Sequence, residues 1–122
     1  MMQRVIDQLE LAARLLADVY SIGVWVKSDD CSDNRNRRKG IRETDWAVSD
    51  AYRAAASVDS PEAQALARDL KALVAVLEPI PDTISDTMAE SLDFDVMISD
   101  LQKKVENLLE RARQIAPPLP PP

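Results

Sequence analysis

The sequence contains no histidine, one cysteine (Cys31) and two glycines among its 122 residues. Without histidine the chain has no His-based catalytic triad, no zinc site that needs His and no Glu-x-x-His di-iron motif. The two glycines, Gly23 and Gly40, stand alone and do not form a glycine-rich phosphate-binding loop. We therefore expect a protein that is not an enzyme and that binds no cofactor and no metal.

A single cysteine excludes an intrachain disulfide and is typical of a reducing compartment. Asp7 and Glu10 interrupt the stretch in which a signal peptide would need a continuous apolar core. The longest apolar run, residues 72–77, is too short to span a bilayer. We expect a cytoplasmic protein with no membrane partner.

Aromatic residues make up only 4% of a chain that is 46% hydrophobic, so its core must be mostly aliphatic. This composition, with so little glycine, favours helices over sheets with many tight turns. Three segments repeat apolar residues at alternating spacings of four and three, which places them on one helix face. The seams are Val5, Leu9, Ala12, Leu16, Val19, Gly23 and Val26; Ala63, Leu66, Leu70, Leu73 and Leu77; and Phe94, Ile98, Leu101, Val105, Leu108, Ala112 and Ile115. A weaker, alanine-rich face runs from Val48 to Val58. The pattern predicts an all-α fold, an antiparallel bundle of about four helices.

Capping residues set the expected helix boundaries. Thr44 is a candidate N-cap for the second helix. Ser60 and Pro61 form a clearer start signal for the third, which should end before Pro79. Residues 82–116 form either one long helix or two. In the second case residues 92–95 are typical of a capped restart, with Ser91 or Asp93 as the cap.

The predicted domain covers residues 1–116. Residues 117–122 form a Pro-rich C-terminal tail with a polyproline II tendency.

Residues 27–42 interrupt the helical pattern and predict a long polar loop after the first helix. They hold six basic and three acidic residues in a chain whose net charge is −6. A cationic loop can contact phosphate groups or an acidic protein surface. The overall acidity and the lack of an aromatic residue between 27 and 42 argue against nucleic acid. The candidate partner-binding residues are Arg35, Arg37, Arg38, Lys39 and Arg42.

A second candidate surface is acidic. Residues 72–102 contain seven acidic residues and no Lys or Arg. Asp82, Asp86 and Glu90 follow each other at four-residue spacing, so on a helix they share a face, and Asp93 follows closely. We predict an acidic ridge that could face a basic partner.

These features favour a non-enzymatic protein–protein interaction module. We expect a small regulator or inhibitor, such as an adaptor, an antiactivator, an immunity protein or a phage-type anti-defence protein. One alternative is nucleic-acid contact through the basic loop 35–42. Another is a self-assembling structural protein, a homo-oligomer whose heptad seams are completed between chains.

Overall fold

A computed structural model describes residues 2–22, 32–83 and 92–115, all of whose regular secondary structure is helical. Four long helices and one single-turn helix follow each other along the chain. They are α1 (Met2–Ile22), α2 (Ser32–Ala56), α3 (Pro61–Leu77), α4 (Ile80–Thr83) and α5 (Leu92–Ile115). The predicted all-α helical bundle is confirmed. Cys31 and residues 117–122 lie outside the described residues.

The four long helices form a ring in which α1 packs on α2 and α5, and α3 packs on the same two helices. The ion pair between Arg4, near the start of α1, and Asp50, near the end of α2, shows that these two helices run antiparallel. Ser60, just before α3, lines the same pocket as Ile115 at the end of α5, so α3 and α5 are antiparallel as well. Four residues, 57–60, connect α2 to α3, and such short connections give antiparallel neighbours. The result is an up-and-down four-helix bundle.

The core is formed by the apolar seams that the sequence predicts. The first seam is buried on α1 from Val5 to Val19, the second on α3, and the residues from Ile98 to Ala112 of the last seam on α5. Fully burying one such aliphatic side chain is worth about 1.5–3 kcal/mol relative to leaving it exposed. Because the seams meet inside one chain, they do not require a second copy to cover them.

Helix α3 has the boundaries that its sequence predicts. The side chain of Ser60 accepts a hydrogen bond from the backbone N–H of Ala63 at 3.1 Å, and Pro61 occupies the first helical turn. The helix ends at Leu77, two residues before Pro79. For the region that follows, residues 84–91 lie outside the described residues, and α5 begins at Leu92, where a restart is predicted.

The predicted loop at residues 27–42 needs correction, because α2 already begins at Ser32. Residues 32–42 are therefore helical and continuous with the alanine-rich segment after them. The physical reason is a buried line at alternating four- and three-residue spacing, which the polar members at 37 and 44 conceal in the sequence. Its members are Arg37, Ile41, Thr44, Val48, Ala51 and Ala55.

Thr44 is also not the helix N-cap that its sequence context suggests. It lies inside α2, is fully buried, and donates a hydrogen bond from its hydroxyl to the backbone oxygen of Gly40 at 2.7 Å. Such a bond to the preceding turn satisfies a hydroxyl in a helix interior without a capping role.

Helices α1 and α2 approach each other closely at Gly40. A Cβ atom added to Gly40 would overlap the Cγ2 methyl of Val19, which is buried on α1. Glycine in a helix costs about 1 kcal/mol relative to alanine. Here the missing side chain allows the two helices to pack closely.

Candidate functional site

Three cations and a tryptophan follow one line along the outside of α2. Arg35, Lys39, Arg42 and Trp46 are spaced by four, three and four residues, so they lie above each other on one helix face. All four are exposed, and Trp46 has 67% of its surface in solvent. We call these four residues the α2 stripe. An exposed tryptophan beside arginine and lysine is a combination that protein interfaces favour.

Arg37 does not belong to this surface, and here the predicted set of partner-binding residues is corrected. It lies on the inward line of α2 with Ile41, and only 2% of its surface is exposed. An arginine can bury its aliphatic stem against apolar neighbours. Arg38 is half-buried beside the stripe. Binding by Arg35, Lys39 and Arg42 stays a prediction.

Two carboxylates near the stripe already face cations of the chain. Asp50 accepts two hydrogen bonds from Arg4, at 2.9 and 3.0 Å, and this hydrogen bonding and charge raise the pKa of Arg4. Glu43 lies 3.9 Å from the Nζ atom of Lys39, an exposed pair that contributes little to stability. The α2 stripe therefore keeps a positive balance on a chain with a net charge of −6.

A shallow apolar groove of about 300 Å³ runs beside Trp46 between α1 and α2. Leu11 and Leu15, one turn apart on α1, are half-buried and partly open to solvent there. Ala47 on α2 also lines the groove and is buried. The complete lining is Gln8, Leu11, Leu15, Glu43, Trp46, Ala47 and Asp50. We call this the α1–α2 groove.

The sequence interpretation missed Trp46 as a surface residue. With the helix starting near Thr44, Trp46 falls in its first turn and has no relation to the cations before it. Once α2 is extended back to Ser32, the spacing from Arg42 to Trp46 is one helical turn. The signal was therefore present in the sequence, but only for the longer helix.

A second groove lies between α3 and α5 and consists of two adjoining pockets, of about 280 and 300 Å³, that share Val76 and Lys104. Two valines are exposed there, Val76 on α3 at 44% and Val96 on α5 at 59%. Its edges carry both signs of charge, because Asp69 pairs with Arg111 and Asp100 lies near Lys104. Without one dominant charge, this α3–α5 groove provides a comparison surface for experiments on α2.

The predicted acidic ridge is not assembled by the described residues. Asp86 and Glu90 lie outside them, while Asp82 is in α4 and Asp93 is in the first turn of α5. Partner binding by this set stays a prediction.

Asp45, on α2, has a raised pKa. Burial of the carboxyl is the main cause, the hydrogen bond from Ser49 at 3.2 Å acts in the opposite direction, and the negative charge of Glu78 raises the pKa further. Because the folded-state pKa lies above the unfolded one, ionised Asp45 destabilises the fold at neutral pH. Asparagine at this position keeps the hydrogen-bond acceptor for Ser49 without the charge.

We predict that Asp45→Asn raises the free energy of unfolding at neutral pH by about a few tenths of a kcal/mol, given that solvent screens this partly exposed group. The difference between wild type and variant should shrink as the pH falls through the raised pKa, because both side chains are then neutral. Urea denaturation at several pH values measures it. An equal gain from Asp100→Asn, on the exposed face of α5, would show that the effect is only one of net charge.

Within residues 2–22, 32–83 and 92–115, no three Asp, Glu or other ligand residues come together as a metal site. No helix of that part of the chain is both long and apolar enough to cross a membrane. No protein-family model, curated protein or solved structure with which the chain was compared matches it.

Proposed function

We propose that the protein is a non-enzymatic protein–protein interaction module, a small cytoplasmic regulator or inhibitor that binds an acidic surface of another protein through the α2 stripe. The observation that carries this proposal is the line of Arg35, Lys39 and Arg42 that ends at an exposed Trp46. Arginine and tryptophan are enriched among the residues that dominate interface energetics.

The spacing of the stripe defines what a partner must present. At 1.5 Å per residue, the four side chains extend over about 17 Å of the helix axis, or about three turns. Carboxylates with a similar spacing on the partner would pair with the cations and increase the association rate at low salt. The buried line on the opposite side of α2 fixes the helix in the bundle. The cations are thus presented by a rigid element, which lowers the entropy lost on binding.

Nucleic-acid contact is the second candidate, and the position of Trp46 favours it. Bases stack on exposed aromatic side chains, and Trp46 stands one turn from Arg42 on a basic helix line. The net charge of −6 opposes it, because long-range repulsion acts on any polyanion. The aliphatic groove beside Trp46 would also contribute neither to base stacking nor to contacts with phosphate groups. For these reasons we favour an acidic protein over nucleic acid.

The test begins with a photo-crosslinking amino acid at Lys39, compared with the same amino acid at Lys71 on the exposed face of α3. A protein that is crosslinked from position 39 and not from position 71 is then purified, and its affinity is measured. We predict that Arg35→Glu/Lys39→Glu/Arg42→Glu weakens binding at least about tenfold, since several charged contacts become repulsive.

The matched control is Arg68→Glu/Lys71→Glu/Lys103→Glu, which makes the same change of net charge on α3 and α5. It should change affinity much less. Equal losses in the two triple variants would contradict the proposal, as would a single-stranded oligothymidine that competes with the partner for the stripe. Circular dichroism of both variants confirms that the helices are intact.

A further inference from the structure

We propose that the α1–α2 groove binds the apolar face of an amphipathic helix in the partner, with acidic residues of that helix lying against the α2 stripe. This inference rests on the proposed function and specifies the partner's chemistry at the same surface. The occupant is thus an acidic helical segment of another protein.

The shape of the groove favours an elongated apolar element. Its apolar lining comes from Leu11 and Leu15 on one helix and from Trp46 and Ala47 on the other. Because α1 and α2 run antiparallel side by side, the groove follows their axes. Ala47 contributes only a methyl group to this lining. Helices bind such grooves through apolar residues at spacings of three, four and seven.

The cations beside the groove favour an occupant with acidic residues next to its apolar face. Arg42 and Lys39 lie on the same line of α2 as Trp46, one turn and two turns before it along the helix. The two carboxylates in the lining, Glu43 and Asp50, already face Lys39 and Arg4. A partner helix with carboxylates about one turn from its apolar anchors therefore gains cation contacts on the α2 side.

The α3–α5 groove lacks this combination. It has exposed valines but edges of both signs, from Asp69 and Asp100 to Lys104 and Arg111. Among the described side chains, Trp46 is the most exposed large hydrophobic residue, and it alone lines an apolar groove while also belonging to a line of cations. That coincidence favours an occupant that is apolar on one face and acidic on the next.

The probe is a synthetic, lactam-stapled helical peptide of about 18 residues, or five turns, with Leu along one face and Glu on the others. Its comparison peptide has the same composition in scrambled order. Fluorescence anisotropy of the labelled peptides measures their affinity for the full chain. We expect the amphipathic peptide to bind at least about tenfold more tightly than the scrambled one, because only it can cover the groove and reach the cations together.

Variants locate the binding site on the protein. Trp46→Ala and Leu15→Ser should each weaken binding of the amphipathic peptide at least about fivefold. Val76→Ser and Val96→Ser in the α3–α5 groove should leave its affinity unchanged. Trp46 is mostly exposed, so its replacement should not unfold the bundle. In a Trp25→Phe background, Trp46 is the one remaining tryptophan, and its emission should shift to the blue when the peptide covers it.

Four results would overturn the inference: equal binding of the scrambled peptide, loss of binding with Val96→Ser but not with Trp46→Ala, oligothymidine binding that depends on Trp46, or a homodimer in light scattering that Trp46→Ala dissociates.

Affinities of the natural partner separate this inference from the proposed function. If Arg35→Glu/Lys39→Glu/Arg42→Glu weakens binding of the partner and Trp46→Ala does not, the partner does not occupy the groove, but its interaction with the cations of the stripe remains. If neither variant matters, both proposals fail.

Discussion

Ile41→Ala is expected to lower the free energy of unfolding by about 2–4 kcal/mol, the cost of a cavity in a helical core. Ile41 is fully buried on the inward line of α2, together with Thr44 and Val48. If residues 27–42 were instead a solvated polar loop, the same substitution would change stability by no more than about 0.5 kcal/mol. The size of the loss therefore distinguishes the two arrangements.

Urea denaturation followed by circular dichroism measures this loss, with the slope of the transition checked for a change in the surface exposed on unfolding. The control is Arg42→Ala at the next position, which is exposed and should stay within about 0.5 kcal/mol of wild type. Similar small effects of both substitutions would show that the helix does not pack as described.

Gly40→Ala should also destabilise the protein, by about 1–3 kcal/mol, although alanine is the better helix former. At an exposed helix position the change would instead add roughly 1 kcal/mol of stability. The added methyl group would overlap Cγ2 of Val19, and both residues lie where α1 and α2 meet. Val19 is buried and branched at Cβ, so it has little freedom to move aside.

A double-mutant cycle tests this contact. Val19→Ala removes the methyl group that the new Cβ would meet, so the double variant Val19→Ala/Gly40→Ala should recover part of the stability lost by Gly40→Ala. Residues in direct contact typically show interaction energies of about 0.5–3 kcal/mol. Additive effects, or a gain in stability from Gly40→Ala alone, would contradict the close approach of the two helices.

The sequence was sufficient to predict the helices and their buried faces where apolar periodicity and capping residues agree. The buried parts of the seams, from Val5 to Val19 on α1, from Ala63 to Leu77 on α3 and from Ile98 to Ala112 on α5, consist of Leu, Val, Ile and Ala. Ser60 supplies a hydroxyl oxygen that accepts a backbone hydrogen bond, and Pro61 has no N–H group that would need an acceptor, so the pair favours a helix start. These local signals and the four-and-three spacing were enough to predict the bundle.

The first part of α2 was hidden because its buried line contains Arg37 and Thr44 in place of aliphatic residues. A dense run of cations and a glycine normally indicates solvated chain. Here Arg and Lys are good helix formers, and Gly40 is explained by the approach of α1. Sequence spacing cannot show which helix will lie against a glycine, because that depends on the tertiary packing.

The candidate surface was predicted only in part for the same reason. Arg35, Lys39 and Arg42 were selected by charge, but charge alone does not separate them from the buried Arg37. Helix phase makes that separation, and it also brings Trp46 into line with the cations. The α1–α2 groove further depends on how Leu11 and Leu15 are placed against α2, which only the packed structure gives.

One helix thus has two roles. Its inward line, with Ile41 and Val48, packs in the core, and its outward line presents the α2 stripe. A loop carrying the same cations would lose more conformational entropy on binding than side chains mounted on a packed helix. The proposed interaction therefore depends on residues 35–46 being helical in the free protein.

Amide hydrogen exchange measured by NMR at residues 37–42 tests that dependence most directly. We predict that these amides are protected to a degree close to those of α3, because their N–H groups are bonded within a helix that packs on the core. Exchange at the rate of unstructured peptide, with α3 still protected, would contradict a rigid α2 stripe.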